Sequence, residues 1–441
     1  MADTDTRLAN RILIGLGLGM LAGTLTLLAG QLAPAVLEGA RALATNVLDP
    51  LGQVFLRLLF FVVLPLVFAS LVAGMLHLGD LSKLGPLSAR TFTLFVANML
   101  IAVLLGFAMM HVVNPGQYVD EATQRQLVAE YGGAAQGVLE REAQRPDVTP
   151  MSIVDMFMPR NLFGAVTGEQ RNALGEVLPL ILFALLVGAA SLRLAENRRA
   201  GLQSGLETTT ELMTRIVGFA LKLAPYAVPA MVYSVIVKVG FEVLVALGVF
   251  VLGCVAVMLL HLFGTMSIWL RVLAKRSPLA FWKDVREVLI TAFTTCSSSA
   301  TLPTALKVTR ERLGIAPSTT GFVLPLGATM NMSGTALYEG AVVLFVAEIF
   351  GVQLTGGEQV ALLFLSVLGA VAVAGIPGGS LPIIAGLLLT FGIPPEGIGI
   401  VLGVDRILDM TRTMVNVGAD VVTCAVIDRA DRDRAAKRAA A

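Results

Sequence analysis

Five polar side chains near the C-terminus have the types and spacing to act together. They are Asp405, Asp409, Arg412, Asn416 and Asp420, in GVDRILDMTRTMVNVGAD (403–420). On a helix turning about 100° per residue they fall, with Thr413, within an arc of roughly 100°. The other faces carry Ile, Leu, Met and Val, as a membrane span would. A central Asp or Arg costs about 3 kcal/mol on the insertion scale, so these groups cannot face lipid together. They line a protein interior or an aqueous cavity. Two uses are open. One is a structural ion-pair network in which Asp409 and Arg412, three residues apart, cancel each other. The other is a site for a zwitterion that also carries an acid. Arg412 would fork onto one carboxylate and Asp409 would take an ammonium, while Asn416 and main-chain amides held a second carboxylate. Ionisable groups inside a membrane mark functional sites by default, which favours the second use.

A second constellation is GATMNMSGTALYEG (327–340), set between the apolar runs VLPL and AVVLFVAEIF. Asn331, Ser333, Gly334 and Thr335 interrupt what is otherwise span sequence, and Glu339 follows. In hydrocarbon, irregular polar backbone persists only where protein buries it or it lines a cavity. The stretch therefore predicts a broken helix at a binding site.

The elements that must carry these groups follow from composition. The chain has 441 residues, 56% hydrophobic and 14% charged, against roughly 25% charged in soluble domains. Repeated apolar runs of about 20 residues predict an all-α polytopic membrane protein. Six ordinary spans are expected at 11–31, 47–76, 84–112, 176–196, 208–238 and 241–271, the third ending at NPG (114–116). TAFTTCSSSATLPTALKV (291–308) and LSVLGAVAVAGIPGGSLPIIAGLLLTFGI (365–393) each place two short apolar arms around a polar or Gly-Pro tip. They predict two re-entrant hairpins. Paired interrupted segments of this kind point to a transporter's binding site. With the broken span and a final span at 396–427, the count is eight crossings. Arg7, Arg11 and the Arg-rich tail place both termini in the cytoplasm, and an acidic insert at 117–150 lies outside. The first span, with no small-residue cleavage site, reads as retained. Cys254, Cys296 and Cys424 are scattered small hydrophobes with no disulfide or metal spacing, and His77, His111 and His261 are equally dispersed. No basic stripe points to nucleic acid.

CSSSATLP, LPLGATMNMSGTALYEG, AGIPGG and DRILDMTRTMVNVGAD, in this order, resemble the signature of the dicarboxylate/amino acid:cation symporters, the glutamate transporter family. The resemblance covers nearly the whole chain, including NPG and APYAV (224–228). It implies a multi-pass inner (plasma) membrane protein with eight transmembrane helices and two re-entrant hairpins. It implies a homotrimer and an elevator-type transporter. Residues 1–80 and 151–240 would form the scaffold, 115–150 the extracytoplasmic loop, and 81–114 with 241–441 the moving transport domain. By position, Arg412 with Thr335 would hold a side-chain carboxylate. Asp409 would hold the amino group near the main chain of Cys296 and Ile376. Ser298 and Asn416 would hold the α-carboxylate. Ser297, Gly378 and Thr413 stand in the same motifs as further substrate contacts. The implied cargo is L-aspartate or L-glutamate. Members with neutral substrates lack an arginine at 412 and plain dicarboxylate members lack the aspartate at 409, whereas both are present here; C4-dicarboxylates or other amino acids are the alternative.

The family implies co-transported Na+ or H+ and no tightly bound cofactor. One sodium site maps to the main-chain carbonyls of Gly327, Asn331 and Asn416 with the Asp420 carboxylate, all matched here, and a second uses the main chain near 370–373 and at Thr329. The third departs from the pattern. Its carboxylate position holds Ser333, and its span-3 positions hold Phe95, Asn98 and Met99, so this site is expected to be absent and fewer sodium ions to be coupled. Glu339 is a candidate proton carrier, because burial disfavours the charged form of a carboxyl; a hydrogen-bonded structural Glu is the other reading. Relatives carry an additional arginine on the first hairpin or at position 410; here those places hold Cys296 and Met410, with Arg406 one turn away. An intramembrane enzyme is disfavoured, since the aspartates share one stripe instead of opposing each other. An anion channel would not need a zwitterion-matched pair, and no phosphate-binding glycine loop exists for ATP-driven transport.

Overall fold

A computed structural model of the chain describes residues 2–81, 86–130, 158, 160–162, 177–240, 242–373, 380–402 and 404–440. Among them there are helices and turns and no strand. The N-terminal part runs α1 (Ala2–Leu32), α2 (Pro34–Leu43), α3 (Asp49–Phe60) and α4 (Val63–Leu81). α5 (Pro86–Val113) is followed by α6 (Glu121–Glu130), then α7 (Val177–Ser191), α8 (Glu196–Leu221) and α9 (Ala224–Val239). α10 (Glu242–Leu260) continues through a π-helical turn, His261–Thr265, into α11 (Met266–Val272). The rest is α12 (Pro278–Thr295), α13 (Ser298–Glu311), α14 (Pro317–Met330), α15 (Ser333–Ile349), α16 (Gly356–Ala372), α17 (Leu381–Thr390), α18 (Ile398–Leu402) and α19 (Asp405–Ala440).

Four helices among the described residues are long and apolar enough to cross a membrane: Ile14–Leu32, Leu87–Tyr118, Glu242–Val272 and Pro317–Ile349. A bent pair, Glu196–Ala220 with Ala224–Lys238, would make a fifth. The expected single span at 208–238 is therefore two helices meeting at 58°. Pro225, at the start of α9, has no N–H with which to continue the ladder of α8. The span expected at 47–76 is likewise interrupted by a turn at Phe61 and Val62. α19 is not among the apolar helices because its polar stripe lowers its hydropathy, although its first half is almost wholly buried.

The elements pack in two sets. α1 lies along α9, and α4 along α7 and α8. α5 lies along α15, while α12, α14 and α15 each pack on α19. α15 is the most central helix: from Ser333 to Ala347 every residue is buried. α12 and α13 pair as the first hairpin, with its tip at Cys296 and Ser297. α16 and α17 are the arms of the second, whose tip, 374–379, lies outside the described residues. In the acidic insert, Asp120 caps α6 by accepting the Thr123 N–H at 2.7 Å. That main-chain bond, with the Thr123 side chain, holds the Asp120 carboxyl below the usual carboxylate range.

Candidate functional site

The α19 stripe converges on Arg412, whose side chain is 3% exposed. Its Nε donates to Asp409 Oδ1 at 2.9 Å, one helical turn away. Its Nη1 lies 3.6 Å from Asp405 Oδ1 and donates to Ser380 Oγ, where the second hairpin resumes. The guanidinium also sits over the Tyr338 ring, 4.9 Å from its centroid. Tyr338 donates its hydroxyl to Asp405 Oδ1 at 2.8 Å. A buried guanidinium is tolerable only when its forked donors are met by acceptors of suitable geometry. Here two carboxylates, a hydroxyl and an aromatic face meet it, drawn from α15, α19 and the second hairpin.

The predicted break in the helix is present. α14 stops at Met330, α15 starts at Ser333, and Asn331 and Met332 between them have ψ near +60° (63° and 61°). No residue of its own segment caps α15 by side chain. Asn416 does so from α19: its Oδ1 accepts the N–H of Gly334 at 2.7 Å and of Thr335 at 3.3 Å. Its Nδ2 donates to Thr335 Oγ1 at 3.0 Å. One side chain thus satisfies helix-start N–H groups that would otherwise be orphaned.

At the tip of the first hairpin Cys296 is left-handed, with φ 51° and ψ 31°. Ser297 caps α13 by accepting the Ala300 N–H at 3.2 Å. Cys296 lies within electrostatic reach of Asp405, Arg406, Asp409 and Arg412, which brings this tip to the stripe. Ser298 and Thr413 are buried there too. Ile376 and Gly378, also expected at the site, fall outside the described residues.

A second cluster surrounds Asp420. Its Oδ1 accepts from Asn331 Nδ2 at 2.8 Å, and its carboxylate lies against Gly327, where even a methyl group would collide with it. Asn331 Oδ1 in turn accepts from Asn98 Nδ2 at 2.8 Å. His261 Nε2 lies 3.0 Å from Asn98 Oδ1. No group of three or more His, Cys, Asp or Glu suited to a metal occurs among the described residues. What the cluster offers is hard oxygen, from one carboxylate, amides and main chain. Thr329 turns its hydroxyl back onto Leu326 O, leaving its carbonyl as the group it could offer. Phe95 and Met99 are buried on the same helix as Asn98, and the buried Ser333 hydroxyl has no hydrogen-bond partner.

Glu339 is fully buried on α15, and neither carboxyl oxygen has a hydrogen-bond partner. It faces the second hairpin, where a Cβ added to Gly369 would lie 2.7 Å from Oε2. Arg406 contributes a buried Nε without a partner. Tyr338, Ser380 and His261 were not singled out from sequence as site residues. Tyr338 lies inside a quoted motif and Ser380 directly follows another, and a lone histidine in an apolar span is itself a signal.

Residues 8–430 match the sequence model of the sodium:dicarboxylate symporter family. A proton/sodium-glutamate symport protein of Bacillus caldotenax is 31% identical, covering 93% of this chain and 91% of the relative. A proton/glutamate-aspartate symporter of Escherichia coli K12 is 30% identical, over 87% and 85% of the two chains. A C4-dicarboxylate transport protein of Deinococcus radiodurans is 30% identical, over 87% and 83%. The chain is a cation-coupled membrane transporter, not an enzyme, and it belongs to the sodium:dicarboxylate symporter family.

Proposed function

We propose that this protein takes up acidic amino acids, L-aspartate or L-glutamate, by elevator-type alternating access. The observation that carries the reading is the buried pairing of Arg412 with Asp409 beside the broken helix. A guanidinium and a carboxylate, 2.9 Å apart and both sheltered from water, match the acid and ammonium of one substrate. Thr335, Asn416, Ser297, Ser298 and Thr413 complete the site, with Ile376 and Gly378 from the second hairpin. The relatives named for glutamate and aspartate support this assignment.

Cation coupling is supported by charge. Asp405 and Asp409 are buried against Arg412 and Asp420 is buried in its own cluster, so the carboxylates outnumber the guanidinium, and an acidic substrate adds further negative charge. Moving that load through a low-dielectric layer requires cations. Gly327, Asn331, Asn416 and Asp420 form the proposed sodium site, with a second at the Thr329 carbonyl. The third family site is absent at Ser333, Phe95, Asn98 and Met99, and Glu339 carries a proton. Eight spans with two re-entrant hairpins, a homotrimer, both termini cytoplasmic and an inner-membrane location complete the proposal.

One observation favours a second reading. Asp409 is already paired with Arg412, so a C4-dicarboxylate, which has no ammonium, would leave that pair undisturbed. Uptake into proteoliposomes separates the two. Labelled aspartate should accumulate under a Na+ gradient at equal pH or a pH gradient in Na+-free buffer, with succinate competing weakly. Succinate accumulation without aspartate accumulation would replace the first reading with the second. No accumulation of either under any cation gradient would remove both.

A further inference from the structure

Asn98 and His261 are fully buried, and the substrate and cation assignments give neither a role. They come from different helices, α5 and the π-helical turn after α10, and meet at 3.0 Å. π-Helical turns recur at functional sites. The orientation of the whole chain of contacts can be worked out from its far end. The Asp420 carboxylate only accepts, so Asn331 must present Nδ2 to it, which turns Asn331 Oδ1 towards Asn98. Asn98 must then present its own Nδ2 there, which turns its Oδ1 towards His261. His261 must therefore donate from Nε2, and its Nδ1 is left bare. Nδ1 is indeed buried with no hydrogen-bond partner. Four residues thus form a one-way series of N–H donors that ends on a carboxylate.

We infer that His261 and Asn98 are positioning residues for the cation site: they lock the Asn331 amide with its nitrogen on Asp420 and fill its oxygen with an N–H donor. Asn331 Oδ1 is consequently closed to a cation on the Asn98 side. The inference rests on the reading of Asp420 as a cation ligand, while the hydrogen-bond series itself can be checked independently.

Two measurements on the full chain test it. The sequence has three histidines, so labelling with [15N]histidine gives three ring systems to assign by NMR. His261 should be the Nε2–H tautomer, and Asn98→Leu should move its ring resonances alone. An Nδ1–H tautomer would overturn the inference whatever the protein transports. The second measurement is the sodium concentration for half-maximal aspartate binding by the purified protein. Asn98→Leu and His261→Leu should each raise it about tenfold, the effect of one lost buried hydrogen bond, with binding capacity at saturating sodium retained. His261→Gln, which keeps an N–H donor, should stay near the unaltered protein. Equal effects of Leu and Gln at 261, or no effect of either, would overturn the inference. An unaltered chain that binds no aspartate at any sodium concentration would instead refute the substrate assignment, leaving the tautomer to decide the series.

Discussion

The Asp420 carboxylate rests directly on the main chain of Gly327: a Cβ at 327 would lie 2.3 Å from Oδ1. Two helices, α14 and α19, therefore meet at this level only because position 327 has no side chain. Gly327→Ala should push the carboxylate off Asn331 and strain the contact by about 1–3 kcal/mol. Thermal unfolding in detergent should move to lower temperature, and sodium stimulation of aspartate binding should be largely lost. Unchanged sodium dependence would remove Gly327 and Asp420 from the cation site.

Asn416 holds the start of α15 from another helix. Asn416→Ala should cost about 1–2 kcal/mol, the scale of a lost helix cap. Asn416→Asp keeps the accepting oxygen for the Gly334 and Thr335 N–H groups but not the donor to Thr335 Oγ1. It should therefore retain more stability than Ala. Comparing the two unfolding temperatures checks this, and identical losses would mean that capping is not what Asn416 contributes.

Arg412 has its donors spread over Asp409, Asp405 and Ser380. Lysine keeps the charge but loses the planar fork, so Arg412→Lys should reduce acidic amino acid uptake at least about tenfold. Tyr338→Phe removes only the hydroxyl bond to Asp405 and should cost about 1 kcal/mol. Initial rates in proteoliposomes rank the two; a Lys variant with normal uptake would argue against carboxylate recognition at Arg412.

Glu339 presents two buried carboxyl oxygens without partners. Glu339→Gln is close in shape and cannot release a proton. It should abolish uptake driven by a pH gradient in Na+-free buffer while sparing sodium-driven uptake. Undiminished pH-driven uptake in this variant would rule Glu339 out as the carrier.

The parts of this site that were legible in sequence are those encoded locally. The α19 stripe follows from helical period alone, and the break at Asn331 from polar residues where lipid would forbid them. The hairpin tip at Cys296 and Ser297 follows from a serine run between short apolar arms. The long-range partners were not legible. Asn416 caps a helix 82 positions away, and His261 reaches Asn98 across 163 positions. Asn416 looks like one member of its own stripe, and Asn98 and His261 like isolated polar residues, until the helices are packed. The bend at Lys222 and Leu223 was also missed, although Pro225 was in view, because apolar periodicity continues through it. Gly327 was assigned a role as a carbonyl donor, yet its absent side chain matters equally, and only the packed structure shows that.

The two-residue interval between Met330 and Ser333 sets the end of one helix against the beginning of another. Helix ends carry partial charges of roughly half a unit, negative at the last carbonyls and positive at the first N–H groups. A cation beside the end of α14 and an anion beside the start of α15 each sit in a favourable field, and each screens the field that the other must enter. Filling one place therefore makes the other easier to fill. The backbone of one interrupted span thus offers opposite fields to a cation and an anion, with Asp420 and Asn416 standing at the two places.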